Sequence, residues 1–226
     1  MNNGPKTGFG ARRIHTALTA NLEKRLLIWM AHRIPAGINS DHLTFLAFVA
    51  QLCAGAAYAI SSKDILALWL VNLFLFLNWL GDSLDGTLAR VRNQQRPRYG
   101  FYVDHVADMI GALALMIGLS CSGYLHWQIA IGMLVCFYIL SIESYLATYT
   151  LGAFHVSHGL FGPTEIRILL ATGNAILVTR PSIVIANHRF LLFDFAGSIS
   201  IIVMSTIALT AVARHTLQLY RQESMT

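Results

Sequence analysis

Six separate apolar stretches, roughly Leu43–Ile60, Ile65–Leu84, Phe101–Leu119, Trp127–Leu151, Ile166–Val178 and Phe193–Ala213, equal or approach the about 20 residues that a helix needs to cross the hydrocarbon core of a bilayer. That many such segments in 226 residues argue for a membrane protein. The chain carries 12% charged residues, about half of the ~25% usual in soluble domains. The expected fold is therefore all-α: a single domain over residues 1–226, with a polytopic membrane bundle of six transmembrane helices over about 39–213. The fifth stretch is the shortest, with room to extend back through Glu165 and forward towards Arg180, where Pro181 stops it. Ahead of the bundle, Ile14, Leu18, Leu22, Leu26 and Trp29 recur at helical spacing among Arg12, Lys24, Arg25 and Arg33. This pattern suits an amphipathic interfacial helix over about 11–34.

The formal net charge of +5 does not signal a nucleic-acid partner, because the basic residues cluster between the apolar stretches. With six spans both termini lie on one side, and thirteen of the sixteen Lys and Arg residues fall on that side. The positive-inside rule then puts the termini and the second and fourth loops in the cytoplasm. No segment resembles a removable signal peptide, and the small chain is expected in a bacterial cytoplasmic membrane. Cys53, Cys121 and Cys136 show no paired spacing, so neither a disulfide framework nor a zinc site is indicated.

Ionisable residues inside spans are costly and mark functional sites by default. Four of the eleven acidic residues lie between Asp82 and Asp108. Asp82 and Asp85 stand at i and i+3, Asp104 and Asp108 at i and i+4, so each pair shares a helix face. Four carboxylates at membrane depth need a countercharge, and all-oxygen ligands favour hard divalent cations such as Mg²⁺ or Mn²⁺. Four ligands are enough for a pair of ions about 3.5–4 Å apart, the arrangement that neutralises charge in phosphoryl transfer. Gly86, Ala89 and Gly100 would let a phosphate or nucleotide approach the backbone closely, with Arg90 in reach of phosphate oxygens.

These residues resemble the signature of the CDP-alcohol phosphotransferase family, D-x2-D-G-x2-A-R-x8 or 9-G-x3-D-x3-D: Asp82, Asp85, Gly86, Ala89, Arg90, Gly100, Asp104 and Asp108 match every fixed position. The resemblance implies a membrane enzyme of phospholipid synthesis that moves a substituted phosphate from a CDP-linked donor to an acceptor alcohol and releases CMP. By position it implies two divalent cations on Asp82, Asp85, Asp104 and Asp108, with Asp108 also the base that deprotonates the acceptor. It further implies a CDP site lined by Gly86, Ala89, Arg90 and Gly100, and a homodimer. The donor is either CDP-diacylglycerol or a CDP-linked head group such as CDP-choline or CDP-ethanolamine; the signature is common to both.

Other residues carry two readings each. Ile38 to Thr44 resembles the polar entry that borders the family's nucleotide pocket, and equally reads as a helix start capped by Ser40 or Asp41. Glu143, deep in the fourth stretch, is an acceptor-site candidate or a structural hydrogen-bonding group. Gly162-Pro163-Thr164-Glu165 resembles an element of the choline and ethanolamine enzymes, making Glu165 an acceptor-site candidate, or is a plain helix start. Arg167 is the main candidate for a phosphorylated acceptor, but one arginine is thin support, and an unphosphorylated alcohol is favoured. His105 points off the aspartate face and reads as packing. The Arg92, Arg96 and Arg98 run reads as a topology signal or an attractor of anionic lipid. An alternative class, a divalent-ion transporter or channel, explains the aspartates but leaves Gly86, Ala89, Arg90 and Gly100 without a role.

Overall fold

The computed structural model describes residues 12–14, 20–151, 153–155, 163–185 and 187–223. Seven helices follow one another: α1 (Ala20–Ala31), α2 (Ser40–Ser61), α3 (Ala67–Val91), α4 (Pro97–Cys121), α5 (Trp127–Leu151), α6 (Pro163–Thr179) and α7 (Leu192–Gln222). Two short strand pairs complete the described chain. β1 (Arg12–Ile14) runs parallel to β2 (Ala153–His155), and β3 (Ser182–Ile185) forms an antiparallel hairpin with β4 (His188–Leu191) between α6 and α7.

Among the described residues, five helices (α2, α3, α4, α5 and α7) are long and apolar enough to cross a membrane. The sixth expected span, the fifth apolar stretch, falls in α6, which is not among these five. Its 17 residues rise only about 25 Å, short of the about 30 Å of a hydrocarbon core. Within the interfacial helix expected over about 11–34, the described helix runs from Ala20 to Ala31, with a strand at Arg12–Ile14. Residues 11 and 15–19 lie outside the described residues. Tertiary packing takes part of this helix off the surface, since Leu27 and Ala31 are buried against Leu43, Leu84 and Leu88, while Leu26, Ile28 and Trp29 are exposed.

Local chemistry sets the helix starts. Asn39, rather than Ser40 or Asp41, caps α2: its Oδ1 accepts from the His42 amide at 3.1 Å, and its own amide donates to His42 Nδ1 at 3.2 Å, a reciprocal box that satisfies two free donors. Pro97 opens α4 at a position that needs no amide hydrogen.

α2 is the spine of the bundle, packed against both α3 and α4, while α5 packs on α7 and α6 on α3. The α2–α4 crossing brings backbone to backbone: a Cβ at Gly118 would lie 1.9 Å from the Gly55 carbonyl oxygen. These glycines serve contacts inside the chain, with Gly118 on Gly55 and Gly111 making room for the Gln51 side chain. Polar groups hold the short α6 in place. The Tyr58 hydroxyl donates to Asn174 Oδ1 at 2.8 Å, and Asn174 Nδ2 donates to Asn72 Oδ1 at 2.8 Å. Tyr58 and Asn174 are both fully buried, so each must find its partner within the protein.

Candidate active site

The C-terminal half of α3 and the N-terminal half of α4 both flank α2, which packs against each of them. There Asp82, Asp85, Asp104 and Asp108 line a single cleft, together with Thr44, Gln51 and Asn78. The i, i+3 and i, i+4 spacings thus place their carboxylates as the helical period dictates. The approach of α2 to α3 depends on Gly81, where a Cβ would lie 2.6 Å from the Leu43 carbonyl oxygen.

Asp85 is buried and fixed from three directions. Its Oδ2 accepts from the Thr44 hydroxyl at 2.6 Å, its Oδ1 accepts from the Gly86 amide, and its carbonyl accepts from the Ser40 hydroxyl at 2.9 Å. Asp82 is held from α6: Arg167 Nη2 donates to its Oδ2 at 2.8 Å, and Arg167 Nε donates to Asn78 Oδ1 at 2.8 Å. Asn78 is itself locked, its Nδ2 donating to the Ala47 carbonyl at 2.9 Å and to Gln51 Oε1 at 3.3 Å. Two residues that the sequence pattern did not single out, Asn78 and Gln51, therefore form the floor beneath the carboxylates. Asn78 lies one helical turn before Asp82, and a polar residue at that spacing inside a span was the available signal.

The lining is all-oxygen and acidic, the donor set of a hard divalent cation, so the residues fit such an ion in chemistry. Among the described residues no three His, Cys, Asp or Glu side chains are drawn into metal-holding proximity. Asp82 is turned onto Arg167, and Asp85 onto Thr44 and Gly86.

A second cavity, lined by Asn39, Ser40, Asp41, Leu88, Ala89, Gln94, Gln95 and Arg96, opens beside the acidic cleft, with Ser40 and Asp85 joining the two. Ala89 is in its wall. Arg90 Nη2 donates to Thr87 Oγ1 at 3.0 Å, a Cβ at Gly86 would stand 3.5 Å from Arg90 Nη1, and one at Gly100 would meet nothing within 4 Å. The loop arginines clasp the protein itself. Arg92 donates to the carbonyls of Ile34, Pro35 and Ile38. Arg96 pairs with Asp41, which pushes the guanidinium further above its ordinary value, and stacks 4.3 Å over the Tyr99 ring.

Of the acceptor-site candidates, Arg167 reaches Asp82. Glu143 is buried, with its Oε1 at 2.5 Å from His215 Nδ1 of α7. Glu165 lies half-buried in the first turn of α6, and Gly162 lies outside the described residues. His105 packs between Phe101, at 4.1 Å, and Tyr145, at 4.6 Å.

A polytopic helical bundle whose four signature aspartates line one cleft defines a class: helical membrane proteins with an acidic site set among their spans. The profile of the CDP-alcohol phosphatidyltransferase family matches residues 38–213, and the chain belongs to that family. The chain is similar to the inner membrane protein YnbA of Escherichia coli (strain K12), 28% identical over 128 residues, which are 57% of this chain and 62% of that protein. The match thus spans less than two thirds of that relative. Its fold is similar to that of phosphatidylinositol phosphate synthase (PgsA1) of Mycobacterium tuberculosis with CDP-DAG bound, at a TM-score of 0.58 and 18% identity, covering 87% of this chain and 94% of that one. The same synthase in complex with manganese and citrate gives a TM-score of 0.55 at 20% identity, covering 88% of each chain. At those identities the two synthase structures establish the shared fold. Together with the five apolar helices, the comparisons make this chain an integral multi-pass membrane protein.

Proposed function

We propose that this protein is a phospholipid-synthesis enzyme that transfers a substituted phosphate from a CDP-linked donor to an acceptor alcohol, with release of CMP. The observation that carries this reading is the convergence of all four signature aspartates on one cleft. Asp82, Asp85, Asp104 and Asp108 would hold two divalent cations, Mg²⁺ or Mn²⁺, and bound ions supply positive charge to the phosphate oxygens of donor and leaving group. The manganese in one synthase structure and the CDP-DAG in the other support this ligand class.

Asp108 takes the proton of the acceptor hydroxyl. The hydroxyl oxygen bonds to the β-phosphorus, the bond from that phosphorus to the bridging oxygen breaks, and CMP departs with the electron pair. Thr44 and the Gly86 amide keep the Asp85 carboxylate from swinging, which preorganises the site. Gly86, Ala89, Arg90 and Gly100 are the CDP-binding group, and the cavity beside Ala89 is our choice for the nucleotide. We further propose that α6 completes a sixth span together with its flanking residues, that the cleft and both termini face the cytoplasm of a bacterial membrane, and that two copies form a homodimer.

The test is CMP release by detergent-purified protein with Mn²⁺ or Mg²⁺, supplying CDP-diacylglycerol and CDP-choline or CDP-ethanolamine as separate donors against a panel of alcohols. CMP should appear with one donor class and cease when EDTA is added. Folded protein that neither releases CMP nor binds any CDP-linked compound, yet carries Mn²⁺ across vesicle membranes, would instead identify an ion transporter.

A further inference from the structure

Arg167 brings a full positive charge to the place where the proposed ions would sit. Its side chain is only 15% exposed, and it is aimed rather than adrift: Nε is committed to Asn78, and Nη2 to Asp82 Oδ2, each at 2.8 Å. Asn78 is 3% exposed and is tied to α2 through Ala47 and Gln51. The guanidinium is therefore placed by three helices against one oxygen of one signature aspartate. A buried guanidinium needs a carboxylate partner, and clustered carboxylates need a cation, so the pair satisfies both requirements within the chain. A divalent ion on the same oxygen would meet a like charge within contact distance.

We propose that Arg167 is the internal counter-cation of the acidic cleft, competing with divalent ions for Asp82 Oδ2, so that ion loading requires the guanidinium to release that oxygen. The inference rests on the reading of Asp82 as a metal ligand and adds a positioning residue that sets how tightly the site takes its ions. An arginine that only tied α6 to α3 would stabilise the bundle without moving ion affinity.

The experiment titrates Mn²⁺ into the detergent-purified full chain without substrate and follows the free-ion signal by electron paramagnetic resonance. Arg167→Gln removes the competing charge and should bind Mn²⁺ about tenfold more tightly, corresponding to about 1.4 kcal/mol. The melting temperature of this variant should be lower than wild type without Mn²⁺ and rise more when it is added, as expected for an ion that binds the folded state. Arg167→Lys keeps the charge but loses the two-pronged grip, and should bind about threefold more tightly; it decides the matter if the glutamine variant does not fold. Unchanged or weaker Mn²⁺ affinity in the folded variants would overturn the competition while leaving the metal site standing. Absence of Mn²⁺ binding in folded wild type and variants alike would overturn the metal site itself, and the competition with it.

Discussion

Asp108→Asn is expected to reduce CMP release by about 10³-fold, within the about 10²–10⁴ that a positioned general base contributes. The substitution keeps the shape of the side chain and removes its capacity to accept the proton, so the variant should fold and elute as wild type does. Asp108 lines the cleft with Asp82, Asp85 and Asp104, and loss of its charge also removes one proposed ion ligand. The companion control is Asp194→Asn. Asp194 sits at the opposite end of the bundle, where both its oxygens accept from His126, at 2.8 Å from the amide and 2.5 Å from Nδ1, and its loss should leave turnover near wild type. Turnover by Asp108→Asn within about threefold of wild type would remove Asp108 from the chemistry.

Gly118→Val should produce the largest loss of stability in the chain. The valine Cβ would start 1.9 Å from the Gly55 carbonyl oxygen, and the obstacle is backbone, which no rotamer change can clear. α2 and α4 must part to admit it, at a cost of about 3 kcal/mol or more, the upper range for overpacking. Thermal unfolding in detergent should show a strongly lowered midpoint or no folded fraction. Gly100→Ala, where a Cβ meets nothing within 4 Å, should keep wild-type stability because alanine favours helix over glycine. Equal midpoints for Gly118→Val and wild type would mean that the two helices do not cross this closely.

The four aspartates were legible because helical periodicity alone fixes which side chains share a face, and the membrane makes any charged face conspicuous. Their neighbours were not. Asp82 meets Arg167 across 85 positions of sequence, and Glu143 meets His215 across 72, separations at which local spacing says nothing about which helices become neighbours. Arg167 looked like an isolated cation available to a substrate, yet two of its donors are spent on Asn78 and Asp82. The arginines after α3 read as topology signals, whereas Arg92 closes the α1–α2 connection through three carbonyls. α6 read as a span by hydropathy. Its length is limited by Pro181 and the hairpin that follows, and its interior face carries Asn174 and Arg167, which bond to neighbouring helices. The cap of α2 moved one residue upstream because His42, unlike Ser40 or Asp41, can complete a reciprocal pair with Asn39.

The backbone contact at Gly55 and Gly118 has a consequence for how the molecule loosens. α2 and α3 bury more than a third of their most apolar stretch inside the bundle, against about a tenth in α5 and α7, so the helices do not share one level of protection. Opening free energies follow buried contact density. Amide hydrogens of α2 and the adjoining half of α3 should exchange with deuterium only through global unfolding, while those of α5 and α7 exchange through cheaper partial openings. The acidic cleft thus draws Asp82 and Asp85 from the more buried α3 and Asp104 and Asp108 from α4, which is of intermediate burial, while cheap partial opening is left to α5 and α7, which carry none of the four aspartates.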